Sequence, residues 1–577
     1  MLASALLPGL LATTGDEPLS LTLPRDAATV VCGPVTMRYW GLRPLTDDAS
    51  SPTLLISRSA RSAEGRLSPS EIVRRLSQDA GSLVDLLPPF GAAQGSSSGV
   101  RAVADSMGFQ HVFHSEPSEG SLALVTTSAL AGARALGADL EPLSVGIQSL
   151  LGWQLADRTL FQGVRKLRPG ASVELGAGGL TISGGDSERR DPIDAAGAVR
   201  QAAALLRVSL ASVLDDYPDA VLQLTGGMDS RLLLSAIPLE RRRGLRAMTL
   251  DVPGKGDVAI ARMISERYGI NHEVRGLTDV SRIDPAEAWD LCRAEATRLD
   301  AMADPVALAA QRIAERAFDQ GVRISGLGGE VARGFYYVGR VGDRSFDRND
   351  SARLAAWRMF VNDAVEPGLL RSEFAMWARD AASSEVHAAL VAGGDEWFRA
   401  TDELYLRHRM QRWAGATDTA VSNERIVINP MLDHTFLDLA RRVAPEDKAN
   451  SRFLGALQMA LDPELGAMPL DGRPAPAAYA RPSRWAPAKD ALSTGRRFAR
   501  KAIQRLQRGN RPPAGGTVLA AKVVEHWRAH PQELRGLERL DFIDADWVAR
   551  MLDATLEPRP SSVAFLTNLI VATEDAD

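Results

Sequence analysis

The sequence predicts an α/β protein in two parts, a β-rich amino-terminal domain and then a doubly wound parallel sheet. Three observations carry this. From about residue 20 to 190 the chain is dominated by short β-like runs (TVVCG, TLLISR, HVFH, LALVTT, SVELG) punctuated by glycine and serine. From about residue 220 strands alternate with helices, the pattern of βαβ units. Between the two lies GDSERRDPIDAA, charged and containing a proline, which marks a boundary. At 577 residues the chain exceeds one ordinary core, since domains mostly hold about 50 to 250 residues. The expected division is 1–190, 195–490, and a basic segment with a helical extension over 491–577.

Taken in order, the start MLASALLPGLLATTGDEP has an apolar run, but no Lys or Arg precedes it and Pro8 interrupts it, so it is not read as a signal peptide. AAQGSSSGVRAV reads as a loop between strands. AAGAVRQAAALLRVSLASVL has the apolar spacing of a helix. Then VLQLTG precedes the helical SRLLLSAI, LRAMTLD precedes DVAIARMISERYG, NHEVRG precedes a long helical region, and the helical PVALAAQRIAERAFDQG leads into the strand VRISG. Residues 350–460 read as mostly helical.

Hydrophobic content of 45%, 24% charged residues and a formal charge of -5 describe a soluble globular chain and give no reason to expect nucleic acid as a partner. No later run approaches the ~20 apolar residues of a membrane span. The two cysteines, Cys32 and Cys292, form no CxxC, so neither a disulfide framework nor a cysteine-rich zinc site is expected, and a cytoplasmic location fits. Residues 491–524 hold no acid and eight bases, among them Arg496, Arg497, Arg500 and Lys501. They read either as a solvated segment or as a docking surface for an acidic peptide. His526 and His530 share an i, i+4 spacing without an acidic ligand in the pattern, which is weak ground for a metal.

Chemistry concentrates at TGGMDS. In a doubly wound fold ligands bind where strands end and helices begin. There Gly226 and Gly227 let the backbone approach phosphate oxygens, while Thr225 and Ser230 add hydroxyls. Leu224 at the end of this strand and Leu250 at the end of the next would flank the nucleotide. The Walker lysine is absent. Asp229 would repel phosphate unless Mg²⁺ lies between them. A matching carboxylate, Glu330, stands in a second turn, VRISGLGGEVARGFYY, with Gly326, Gly328 and Gly329. One glycine-rich turn alone is equally a tight connection with a helix cap; two on one sheet, each with a single carboxylate, point to a nucleotide and metal site.

These residues resemble a family. TGGMDS resembles the SGGxDS pyrophosphate loop of the asparagine synthetase superfamily, and SGLGGEVARGFY its SGEGADELFGGY segment. ADSMGFQHVFH and TLFQGVRKLRPGASVEL resemble the DRFGxRPLYY and TxFxGIxxLPPGxxL elements of its amino-terminal glutaminase domain. INPMLDHTFLDLARRVAPEDK resembles the RVPFLDxxFLDVAxxIPxxxK region. The resemblance implies an Ntn-type glutaminase-like fold in the first domain and an ATP-pyrophosphatase fold in the second. ATP and Mg²⁺ are the implied cofactors, with Asp229 and Glu330 as metal ligands. It also implies a late cationic residue for the acyl-adenylate reaction, for which Arg473, Arg481, Arg484 and Lys489 are the candidates; Arg473 and Lys489 are carried forward as catalytic. Asp257 resembles the acid that opens the helix after the second strand, or is simply a helix-terminal charge.

The departures narrow the reading. The family's working glutaminase uses an amino-terminal cysteine; this chain begins Met1-Leu2-Ala3, and Cys32 reads as a core residue, so no glutaminase activity is expected. The third position of the SGEGAD segment, Glu in asparagine synthetase and Tyr in β-lactam synthetase, is Leu327 here, which handles no proton. An amine near pKa 7.7 to 8.0, such as a peptide amino terminus, needs little help to react. The resemblance is greatest to a lasso-peptide macrolactam cyclase, which implies a precursor-peptide substrate, a leader-binding companion and a leader peptidase. The alternatives are a small-molecule cyclase of the β-lactam synthetase kind and a non-catalytic ATP-binding scaffold.

Overall fold

A computed structural model describes residues 6–14, 21–48, 50–116, 122–185, 191–252, 256–316, 318, 321–480 and 515–574. The amino-terminal strands are β1 (Gly9–Thr14), β2 (Ala28–Cys32), β3 (Val35–Trp40), β4 (Thr53–Leu55), β5 (Gly91–Ser96) and β6 (Gly99–Ala104). They continue with β7 (Phe113–Ser115), β8 (Leu124–Thr126), β9 (Val164–Lys166), β10 (Ala171–Gly176) and β11 (Gly179–Gly184). They form two antiparallel sheets, in the orders β2-β3-β1-β8-β7-β9 and β11-β10-β6-β5-β4. Side chains from both sheets, including Leu10, Ala12, Met37, Ala93, Ala102, Val125 and Val173, make one core between them. The helix Pro69–Gln78 buries Ile72 and Leu76 against Phe90 and Val103 on one outer face. The helix Ala129–Leu136 packs with Leu11 and Phe113 on the other. Helix, sheet, sheet, helix is the layering expected of an Ntn-type domain.

One stretch without a sequence assignment is placed here, and one expectation changes. The apolar start is a central strand: β1 pairs with β3 from Gly9↔Trp40 to Thr14↔Val35 and with β8 at Leu11↔Thr126. Its successive residues Leu10 and Leu11 serve cores on opposite faces, which makes the run apolar throughout. AAQGSSSGVRAV, read as a loop, is a hairpin, with β5 and β6 in register from Gly91↔Ala104 to Ser96↔Gly99. Its small residues answer to packing, because a Cβ built on Gly95 would stand 2.4 Å from Cys32 Sγ.

The second part is built on β12 (Val221–Gln223), β13 (Arg246–Asp251), β14 (Asn271–Gly276), β15 (Arg323–Ile324) and β16 (Val427–Ile428). All its pairings are parallel, in the order β14-β13-β12-β15-β16. After β12 the chain goes to one side for β13 and β14, then to the other for β15 and β16. The strand order therefore reverses between β12 and β15, and the loops leaving these two strands part around a crevice. The helix Ala195–Asp216, capped by the Asp194 side chain on Gly197 N–H, buries Leu206, Leu210 and Val213 in the core of this part. It is the one helix among the described residues long and apolar enough to cross a membrane, and most of that stretch is buried inside the protein.

The carboxyl-terminal helices Gly515–Ala529, Ala545–Leu552 and Pro560–Thr573 are not a separate lobe. Trp527, Trp547 and Leu566 join a core with Ala129 and Val145 of the first part and Trp289 and Ile313 of the second. Of the basic stretch at 491–524, residues 491–514 lie outside the described residues.

Candidate active site

The two glycine turns meet at the switch point. The first follows β12 and opens into the helix Asp229–Ala236; the second follows β15 and runs into the short turn Gly329–Arg333. A Cβ built on Gly329 would lie 2.2 Å from Asp229 Oδ1, and one on Gly326 would lie 2.9 Å from Ser230 N. Any side chain at either glycine would push the loops apart. Gly328 adopts φ +106°, a left-handed conformation open chiefly to glycine. The sequence thus brings Asp229 and Glu330 together by packing one glycine turn on the other.

Asp229 Oδ1 is buried and has no hydrogen-bond partner. Burial, and then the charge of Glu330, push its carboxyl up to about 7, against the pull of Arg333 and Arg473. Glu330 accepts from Arg333 Nη2 at 3.0 Å. Burial works against the Arg333 charge, but the Asp229 and Glu330 carboxylates outweigh it and hold this guanidinium above its ordinary value. Two carboxylates at one spot, one with an orphaned oxygen, form a site that gains by receiving a cation.

The loop itself is held by its own side chains. Thr225 N–H donates to Ser230 Oγ at 3.0 Å, and the two hydroxyls lie 3.1 Å apart. Gly226 N–H donates to Asp257 Oδ1 at 2.9 Å and Gly227 N–H to Thr225 Oγ1 at 3.1 Å. The two N–H groups expected to face pyrophosphate are therefore bonded within the protein, and a phosphate would have to displace a carboxylate or a hydroxyl to reach them. The helix Asp229–Ala236 has no capping side chain, since Met228 occupies its cap. Its first turn is buried, with Ser230 N packed against Gly326.

The other expected residues divide. Leu224 is fully buried, its N–H bonded to Met248 O at 2.9 Å and its carbonyl to Thr249 Oγ1 at 2.6 Å, so its side chain belongs to the core. Leu250 packs beside Val221, Met248 and Phe318. Leu327 is half-buried hydrocarbon against the main core, its N–H donating to Ser325 Oγ at 3.2 Å. Asp257, beyond carrying a helix-terminal charge, bonds the first glycine turn. Arg473 is exposed, and its charge reaches both Asp229 and Arg231. Arg481, Arg484 and Lys489 lie outside the described residues. His526 stacks on Trp289 at 6.1 Å between ring centroids, with His530 4.6 Å away. Among the described residues no three His, Cys, Asp or Glu side chains gather as a metal cluster.

Sequence reading missed three residues. Asp471 N–H donates to Gly226 O at 3.0 Å, and Asp471 Oδ1 would lie 2.4 Å from a Cβ on Gly256, so it sits between two site loops. Arg231 is buried and donates to the carbonyls of Met468 (2.6 Å) and Pro469 (2.8 Å), which tethers the segment bearing Asp471 and Arg473. Lys448 is buried in an ion pair with Asp402, which also accepts from Tyr337 Oη at 2.7 Å. The lysine closes the quoted APEDK run, but nothing local announces its partner.

Both cysteines are buried. Burial pushes the Cys32 thiol up despite a backbone hydrogen bond from Ser96, and pushes Cys292 well above its ordinary value. Neither is placed as a nucleophile.

Residues 201–462 match the family model described as asparagine synthase. No curated protein matches the chain. Among solved structures, glutamine phosphoribosylpyrophosphate amidotransferase from B. subtilis, complexed with ADP and GMP, is similar over 47% of this chain and 60% of its own, with 11% identity and a TM-score of 0.20. A second, the allosteric regulatory enzyme of purine biosynthesis, shares 10% identity over 48% of this chain and 60% of its own, with a TM-score of 0.20. The chain thus spans about 60% of each of these proteins, and at such scores the likeness adds nothing to the fold seen directly.

Proposed function

We propose that the chain, which carries an asparagine synthase domain over residues 201–462, is an ATP-dependent amide-forming ligase that closes a macrolactam in a precursor peptide. The observation that carries this is Asp229 Oδ1, buried and unpartnered, held against Gly329 one residue before Glu330.

In the proposed reaction a side-chain carboxylate oxygen of an Asp or Glu attacks the α-phosphorus of ATP. The bond to the β-phosphate oxygen breaks, and pyrophosphate leaves. The peptide's amino-terminal nitrogen then attacks the acyl carbon, AMP departs with the electrons of the acyl C–O bond, and the nitrogen loses a proton. Asp229 and Glu330 fit Mg²⁺, a cation commonly held by one or two carboxylates and completed by phosphate oxygens. When bound, it supplies neutralisation of charge on the departing pyrophosphate. Arg333 holds Glu330 in place, and Arg473 brings positive charge to the same region. The Leu327 side chain can neither give nor take a proton, which suits an amine that is already partly neutral. The buried thiols support an enzyme that takes no ammonia from glutamine and draws its amine from the substrate. A leader-binding companion and a leader peptidase would deliver such a substrate.

Adenylation is tested by labelling the acceptor carboxyl with ¹⁸O. The proposal expects one labelled oxygen in AMP. Label in inorganic phosphate would mean an acyl phosphate and would overturn it. Added glutamine should yield no glutamate.

A further inference from the structure

Two residues beyond Arg333 the chain enters a wall of aromatic rings. Phe335 stacks on Tyr405 with centroids 4.5 Å apart, and Tyr336 meets both edge-on at 5.1 and 5.9 Å. Tyr405 is close enough to Glu330 and Arg333 for both charges to act on its hydroxyl. The wall is thus continuous with the metal-facing carboxylate.

Two further guanidinium groups lie on this wall. Arg358 Cζ is 5.9 Å from the Phe335 centroid and 5.9 Å from that of Tyr336; Arg409 Cζ is 5.3 Å from Phe335 and 4.8 Å from Trp413. Arg358 spends one donor on Phe335 O at 2.9 Å. By contrast, Arg344, Arg407 and Arg441 each pair with a carboxylate. Among the described residues, Arg358 and Arg409 form no such pair. Asp363 feels Arg409, but burial holds its carboxyl above the usual range, and the two are not in contact. Burial, and the Arg409 charge, also press Arg358 below its ordinary value. Two half-buried cations sharing one aromatic ring repel each other until an anion comes between them.

Both arginines sit on π-helical turns, Ala355–Met359 and Tyr405–Ala414. Such widened turns occur frequently at functional sites. Beyond the bond of Arg358 to Phe335 O and the interaction of Arg409 with the Tyr336 hydroxyl, each stacked guanidinium keeps further N–H donors at its edge, and that fork matches a carboxylate. The aromatic rings suit the hydrocarbon of a side chain better than a triphosphate, for which the glycine turns are the expected site.

We propose that Arg358 and Arg409 form a subsite for a carboxylate of the acyl substrate, beside Glu330. This rests on the ligase reading above. The probe is an acetylated tetrapeptide amide ending in Glu, compared by calorimetry with the same peptide ending in Gln, so that one carboxylate is the only difference. The wild type is expected to prefer Glu by at least about tenfold. In the double variant Arg358→Gln/Arg409→Gln the preference should vanish, and in Arg358→Lys/Arg409→Lys it should return in part. Equal binding of the two peptides by the wild type, or a preference that survives in the Gln variant, overturns the subsite. So does a Gln variant that loses ATP affinity instead, which would make the pair a phosphate clamp. Conversion of ATP to AMP, assayed separately with an unblocked peptide, tests the ligase reading on its own.

Discussion

Asp229 lies so close to Gly329 that a single methyl group on that glycine would stand 2.2 Å from Oδ1. The glycine is what lets a carboxylate from one strand end meet a carboxylate from another. Gly329→Ala should therefore fold but lose about 100-fold in kcat/KM, the scale of loss that an ångström of misplacement produces. Steady-state AMP release and circular dichroism check both halves.

Lys448 and Asp402 are an ion pair sealed from water, with exposures of 1% and 9%. Removing one partner strands the other, so Lys448→Met should cost about 3 to 5 kcal/mol in denaturant unfolding. The double replacement Lys448→Met/Asp402→Leu should cost less than the single one. A double variant less stable than Lys448→Met would contradict the pairing.

The π-helical turn that carries Tyr405 and Arg409 also grips the first domain. Arg412 donates to the carbonyls of Ala156 and Arg158, the latter at 2.6 Å, and His408 Nδ1 accepts from Ala156 N–H at 3.0 Å. The amino-terminal β-rich part thus steadies one wall of the site. Arg412→Gln should raise KM for the peptide several-fold while leaving KM for ATP within about twofold.

His408 gives a pH dependence. Burial, with Arg412 and Arg407, lowers its imidazole to about 4. The unfolded imidazole takes a proton near pH ~6.5, whereas the folded one resists until about 4, so the unfolded state binds more protons in that window. Stability should fall as pH drops from about 6.5 to about 4. Melting temperatures of the wild type should fall more steeply there than those of His408→Gln; parallel curves would contradict the assignment.

Much of the site was legible because its parts are local. TGGMDS and GLGGE each follow an apolar run, and alternation placed both runs in one parallel sheet whose switch point then brings the turns together. What stayed hidden depends on long-range contact. Asp471 reaches Gly226 from 245 residues away, and Arg231 holds Met468 from a distance of 237. The strand β1 was masked by its composition, since a strand serving cores on both faces has no alternation to read. The β5–β6 hairpin was masked by glycine and serine residues that are small because Cys32 and the turn leave no room. Asp257 and Thr225 stand out in the sequence, but their bonds to Gly226 and Gly227 N–H cannot be read there.

The central claim is that Asp229 and Glu330 serve an ATP-driven ring closure. The most direct measurement is mass spectrometry of a leaderless candidate peptide incubated with the protein, ATP and Mg²⁺, with nucleotides analysed in parallel. The account predicts AMP, pyrophosphate and a peptide lighter by one water, all lost in Asp229→Ala. ADP as the nucleotide product, or a ring formed undiminished by Asp229→Ala, would contradict it.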